Sequence, residues 1–115
     1  MRLRSDIYVS ALVRRIFSKG SFAAIEKKGA QEAGAIFIRQ RFRDGRETLY
    51  APAPQSIMSD HETDSRFFEV RLERAEPEEV LAFVEREKRF DPDLWLVELE
   101  ADDVSGLFPV AAAPD

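Results

Sequence analysis

The sequence predicts an α+β fold: a single two-layer domain of about five mostly antiparallel strands, with two helices packed on one sheet face. Three observations carry this reading. Within Phe90-Asp91-Pro92-Asp93-Leu94-Trp95-Leu96-Val97-Glu98-Leu99-Glu100, period two puts Trp95, Val97 and Leu99 on one strand face. Leu94 and Leu96 begin the other face, and Glu98 and Glu100 finish it, so one face is core throughout while the other starts buried and ends wet. Asp44-Gly45 is a hairpin signal between two strand-like runs. Two further segments repeat their apolar residues at helical spacing.

In chain order, Ser5 caps a helix running to about residue 19, with Asp6 in its first turn and Arg14, Arg15 and Lys19 toward its end. Tyr8, Val9, Leu12, Val13, Ile16 and Phe17 form its apolar side, and Gly20 stops it in left-handed geometry. Residues 21–28 make a weak strand, because Ala23, Ala24 and Glu26 are poor strand formers. A polar turn leads to the clearer strand 35–42, and Asp44-Gly45 reverses the chain into 47–51. Pro52 and Pro54 end that strand, and the polar stretch to about 65 reads as an exposed loop.

Residues 66–72 form a fourth strand with Phe68, Val70 and Leu72 facing in. Pro77 opens the second helix, followed by Glu78 and Glu79 where the dipole favours them; Val80, Leu81, Phe83, Val84 and Phe90 form its stripe. Pro92 excludes Asp91 from helical geometry, so residues 90–93 are the hinge into the last strand. Residues 1–115 read as one globular domain whose tail, from about 105, is frayed. A right-handed strand-helix-strand unit sharing one helix-covered face gives spatial order 3-2-1-5-4, with 4-3-2-1-5 as its rival.

The chain has no cysteine, which excludes disulfides and thiolate metal sites and fits a reducing cytoplasm. No apolar run reaches the length of a membrane span, and no cleavage site follows residues 7–13, so the chain reads as soluble and unexported. The net charge of −5 hides a polarity: residues 1–50 carry +6 and residues 51–115 carry −11. Within one domain, basic and acidic strands lying side by side account for that without an external partner.

Several blocks together resemble one family. They are Arg2-Leu3 through Ser5 with Tyr8-Val9 and Arg14-Arg15, Ala33-Gly34-Ala35-Ile36-Phe37, Leu49-Tyr50-Ala51-Pro52-Ala53-Pro54-Gln55, and Arg89-Phe90-Asp91-Pro92-Asp93-Leu94-Trp95. The chain is similar to the small alphaproteobacterial proteins grouped as domain of unknown function 1491. The resemblance implies a bacterial, cytoplasmic, stand-alone domain, and it brings no catalytic residues with it.

Candidate chemistry is sparse. His61, the one histidine, lies in Ser59-Asp60-His61-Glu62-Thr63-Asp64, where carboxylates and an imidazole could meet a divalent ion; a solvated acidic loop is the simpler reading, because no metal-motif spacing accompanies it. Asp91 and Asp93 bracket Pro92 and could act as a carboxylate pair, or could satisfy backbone N–H groups in the turn. Arg39, Arg41 and Arg43 alternate into a basic row that could contact phosphates, or that the outward Glu69 and Glu73 on another strand could neutralise. No phosphate loop, nucleophile elbow or dinucleotide fingerprint occurs, and no cofactor or metal is expected. The expected function is that of a non-catalytic protein-interaction or regulatory module whose partner is a protein, this chain included. A nucleic-acid binder using the arginine row and a small carboxylate- or metal-dependent enzyme using His61 are the alternatives.

Overall fold

The structure, a computed structural model, describes residues 3–54 and 66–111. Along the chain these form α1 (Ser5–Ser18), β1 (Phe22–Lys27), β2 (Ile36–Arg41), β3 (Glu47–Pro52), β4 (Phe68–Ala75), α2 (Pro77–Phe90) and β5 (Trp95–Glu100). Each expected helix and strand is present, and the α+β class holds. The strand order is different: β1-β5-β2-β3-β4, with β5 antiparallel to β1 and parallel to β2, and the remaining pairs antiparallel. Neither 3-2-1-5-4 nor 4-3-2-1-5 occurs, because β5 is inserted between β1 and β2. Trp95, Leu96 and Val97 are all buried, which requires cover on both faces of β5, whereas the weaker β1 is left at an edge.

The layering also corrects the expectation of two helices on one sheet face. Val9, Leu12 and Ile16 of α1 pack on Ile36, Ile38, Trp95, Val97 and Leu99. Val80 and Val84 of α2 pack on Phe37, Leu49, Ala51, Leu94 and Leu96, the opposite side chains of the same strands. The sheet therefore lies between the helices, in three layers rather than two. Unbroken runs such as Ile36-Phe37-Ile38 must be covered on both sides, and one helix is too narrow to supply both cores.

Local details follow from the same forces. Arg4, not Ser5, occupies the helix cap position; Ser5 is the first helical residue and is wholly buried. Gly20 adopts φ +82 after α1, as expected of a helix stop. Pro77 opens α2, but Leu81 and Phe90 of its expected stripe are exposed, leaving Val80 and Val84 buried with Phe83 beside them. In β4 an extra residue between Val70 and Leu72 shifts the pairing with β3, so Phe68 joins the α1 core and Leu72 the α2 core.

The expected fraying from residue 105 does not occur over 105–111. Leu107 and Phe108 are buried in the α1 core, and the Phe108 ring lies edge-on to Tyr50 at 5.1 Å and to Phe68 at 5.2 Å. Val110 bridges Phe68 in parallel, covering part of the outer edge of β4. Residues 112–115, the rest of that expected tail, lie outside the described residues.

Candidate functional site

Glu47, wholly buried on β3, gathers two arginines from β2. Arg39 donates through Nε to Glu47 Oε1 at 2.7 Å and through Nη2 to Oε2 at 3.1 Å. Its Nη1 donates to both oxygens of Glu26, at 2.7 and 2.8 Å. Arg41 donates through Nε to Glu47 Oε2 at 3.2 Å, and its Nη1 lies 3.1 Å from Glu98 Oε1. Burial opposes the charge on Arg39, but the hydrogen bond to Glu47 and the charges of Glu26, Glu47 and Glu98 outweigh it and raise its pKa. Five residues from β1, β2, β3 and β5 thus form one ionic chain across the sheet. Of the arginine row, Arg43 alone stays in the exposed turn, with no carboxylate partner among the described residues. The acidic partners are Glu26, Glu47 and Glu98, not Glu69 or Glu73 of β4, because β2 lies between β3 and β5.

Asp91 and Asp93 flank the turn around Pro92, where Asp91 satisfies a backbone N–H group. The Asp93 N–H donates to Asp91 Oδ1 at 3.1 Å, closing the turn around Pro92, and the Asp93 carbonyl accepts from Ala30 N–H at 2.9 Å. Around that turn, Trp95 Nε1 donates to the Ala30 carbonyl at 2.8 Å, and Lys27 Nζ donates to the carbonyls of Pro92 and Leu94 at 2.7 and 2.9 Å. Ser5 Oγ donates to the Gly34 carbonyl at 2.7 Å and accepts from Arg66 Nη2 at 3.1 Å, while the same nitrogen donates to the Leu3 carbonyl at 2.9 Å. Arg66 also lies over the Tyr8 ring, 5.5 Å from its centroid. The sequence reading missed this buried arginine, since a charge at the start of a strand looks like any solvated residue.

His61 and its acidic neighbours lie within 55–65, outside the described residues. Among the described residues no group of three or more His, Asp or Glu could hold a metal ion.

An exposed apolar surface lies at the β1 edge. Phe17 and Phe22 are 50% and 48% exposed and stack edge-to-face with centroids 5.7 Å apart; Ile25 follows on β1, also exposed. They adjoin a groove of about 760 Å³ whose wall includes Phe17, Phe22, Phe42, Arg41, Arg43 and Glu100. Among the described residues β1 pairs on one side only, with β5, which leaves a row of its backbone groups without a strand partner.

A five-stranded mixed sheet between two helices, with Arg39 and Arg41 paired to carboxylates within the fold, defines the class: a small α+β protein. The chain belongs to the family described as "Protein of unknown function (DUF1491)", whose profile matches residues 3–109. It is similar to protein Atu0922 from A. tumefaciens, known from a solution structure, with 56% identity and a TM-score of 0.87 over 100% of this chain and 99% of that one. A crystal structure of a DUF1491 family protein from Caulobacter crescentus CB15 is 32% identical, with a TM-score of 0.78 over 97% and 100% of the two chains. An NMR structure of a DUF1491 family protein from the same organism gives 32% and 0.76, over 97% and 99%. Both organisms are alphaproteobacteria. No curated protein matches the chain. No described helix is long and apolar enough to cross a membrane.

Proposed function

We propose that the protein is a non-catalytic interaction module that receives an extended segment of a partner protein along the outer edge of β1. The observation that carries this is the Phe17–Phe22 pair, two half-exposed aromatic rings beside a strand with a free edge. An added strand would take up the unpaired β1 backbone groups, and alternate side chains would meet the rings and the groove. The edge at β4 suits this role less, since its pairing is bulged twice and partly covered by Val110. The nucleic-acid alternative loses support because Arg39 and Arg41 spend their donors on carboxylates. We place the module in the cytoplasm, in keeping with its cysteine-free composition.

The test is capture from the source bacterium followed by mass spectrometry, comparing wild type with Phe17→Ser/Phe22→Ser and with Ala24→Pro. Each variant is first checked for an unchanged amide spectrum away from β1. Loss of the same protein from both captures supports the reading. An unchanged set of captured proteins overturns it. A concentration-dependent rise in mass for wild type alone identifies the partner as a second copy of this chain.

A further inference from the structure

We infer, resting on the interaction reading above, that the extended segment received at β1 is β1 of a second copy of this chain. The two strands lie antiparallel about a two-fold axis and join both copies into one continuous sheet.

A two-fold axis normal to the sheet sets the Phe22 end of one β1 beside the Lys27–Lys28 end of the other. Each copy must then carry both halves of a complementary pair on one surface. The two ends of β1 do so. At the Phe22 end, the register with β5 places Glu100 opposite Phe22, and Asp102 lies on the wall of the same groove. Both residues are exposed, and neither carboxylate has an ion-pair partner among the described residues. Of the two arginines on that wall, Arg41 is taken by Glu47 and Glu98, so two carboxylates stand against Arg43 and the groove is left negative. At the opposite end of β1, Lys27 is held on the carbonyls of Pro92 and Leu94. Lys28 is exposed, and its ammonium meets no acceptor among the described residues. Lys28 is therefore the cation free to cross to the second copy, and the axis makes that contact twice.

Packing agrees with charge. Helix α1 lies against β1, and the axis keeps both copies of α1 on the same side of the sheet. The half-exposed Phe17 and Phe22 of the two copies, with Ile25, come to one seam, where their apolar area leaves water. Backbone groups along that edge find the partners they lack among the described residues. Residues 22–25 pair with β5 in unbroken register and form the regular part of the edge, which the irregularity between Ile25 and Lys27 ends. A seam this short makes a weak dimer, formed at high concentration. The outer edge of β4 has no equivalent, because its register shifts twice and Val110 bridges Phe68 there.

Sedimentation of the full chain from about 10 μM to about 1 mM reads the association. Wild type should approach twice the monomer mass at the upper end, while the amides of residues 22–25 gain protection from exchange over the same range. Lys28→Glu and Glu100→Lys/Asp102→Lys change only exposed side chains. Each sets like charges together at both ends of the seam and should weaken association by about tenfold or more. An equimolar mixture of the two variants should restore it, since every end then meets the opposite charge, a rescue that requires a two-fold seam joining these two ends. A chain that stays monomeric to about 1 mM overturns the inference, as does a dimer indifferent to the charge variants or a mixture that fails to associate. A monomeric chain that still captures a different protein, lost in Phe17→Ser/Phe22→Ser, overturns self-pairing alone and leaves the interaction reading standing.

Discussion

Trp95 and Ala30 are joined by a 2.8 Å hydrogen bond from the indole Nε1 to the Ala30 carbonyl, and the Ala30 N–H in turn donates to Asp93 at 2.9 Å. The ring fills the α1 core while its one polar atom reaches the loop between β1 and β2. That loop also binds the start of α1: Ser5 and Asp6 donate their N–H groups to the carbonyls of Glu32 and Gln31. The blocks that carry the family resemblance, around Ser5, Gly34 and Trp95, therefore meet at one junction. Their joint task is to lock α1, the β1–β2 loop and the entry to β5 together.

Trp95→Ala should cost about 3 to 5 kcal/mol in chemical denaturation, because the ring is 4% exposed and no neighbouring element can fill its volume. Trp95→Phe keeps most of the packing and loses the bond to Ala30, which sets its cost near 1 kcal/mol plus any cavity contribution. Equal losses for both variants would show that the hydrogen bond, and not the ring, holds the junction.

Gly29 owes its identity to crowding rather than to backbone angle. A Cβ there would collide with the Asp93 carbonyl oxygen and lie 2.6 Å from the Leu94 carbonyl group; one at Gly34 would lie 2.5 Å from the same Asp93 oxygen. Backbone atoms cannot swing aside as a flexible side chain can. Gly29→Ala should therefore lower stability by about 1 to 3 kcal/mol or more, with amide shifts centred on residues 90–95. Gly45→Ala is the control: space is open there, but φ is +89, so a loss of about 1 to 2 kcal/mol should come without shifts at the junction.

Element types were legible because each rests on local signals: helical spacing in residues 5–18 and 77–90, alternation in β5, and Asp44-Gly45 at the hairpin. The layering was not legible as a whole: Leu94 and Leu96 need cover on the face opposite Trp95, but no local pattern says which helix supplies it, and two layers were expected. Strand order was not legible either, because it depends on which strand can bear an edge, a comparison among all five. The bulge that turns Leu72 away from Phe68 has no local signal, since period two continues unbroken through residues 68–72. For the candidate site, the neutralisation of Arg39 and Arg41 followed from the charge polarity, but its partners required the order of strands. The Phe17–Phe22 contact was hidden by assigning Phe17 to a buried stripe.

Burial changes what the arginine row is worth. Opposite charges across an exposed sheet contribute about 0.2 to 1 kcal/mol, and on that basis removal of one arginine is nearly silent. Arg39, however, has a side chain 13% exposed and shares a carboxylate with no exposure at all. Arg39→Ala leaves Glu47 short of a partner in the interior, so a loss of about 3 to 5 kcal/mol is expected. Arg43→Ala should stay within about 0.5 kcal/mol. Removing Glu47 and Arg39 together, as Glu47→Leu/Arg39→Met, should cost less than Arg39→Ala alone, because no wholly buried charge is left without a partner: Arg41 keeps Glu98, and Glu26, which loses Arg39, is 26% exposed to water. Equal denaturation midpoints for Arg39→Ala and Arg43→Ala would mean that water reaches Glu47.

The two tyrosines allow alkaline stability to be read without interference, since neither is ordinary. Burial raises the Tyr50 phenol above 10.0, and the charges of Glu73 and Asp103 raise it further; burial also raises Tyr8, against the pull of Arg15 and Arg66. The Tyr50 hydroxyl donates to Gln40 Oε1 at 2.7 Å, and Gln40 Nε2 donates to the Ala101 carbonyl at 2.7 Å, so loss of the phenolic proton breaks a bond inside the fold. The folded chain holds these protons more tightly than the unfolded chain does. Their contribution is thus complete below about pH 10 and is lost as pH rises through the folded values. Tyrosinate absorbance should consequently appear above the ordinary range and together with the change in Trp95 fluorescence that reports unfolding. Tyr50→Phe should flatten the alkaline fall in stability while lowering stability at neutral pH by about 1 kcal/mol. Tyrosinate forming at the ordinary value, with Trp95 fluorescence unchanged, would show that both rings are open to solvent and that the Tyr50–Gln40 bond contributes nothing to the fold.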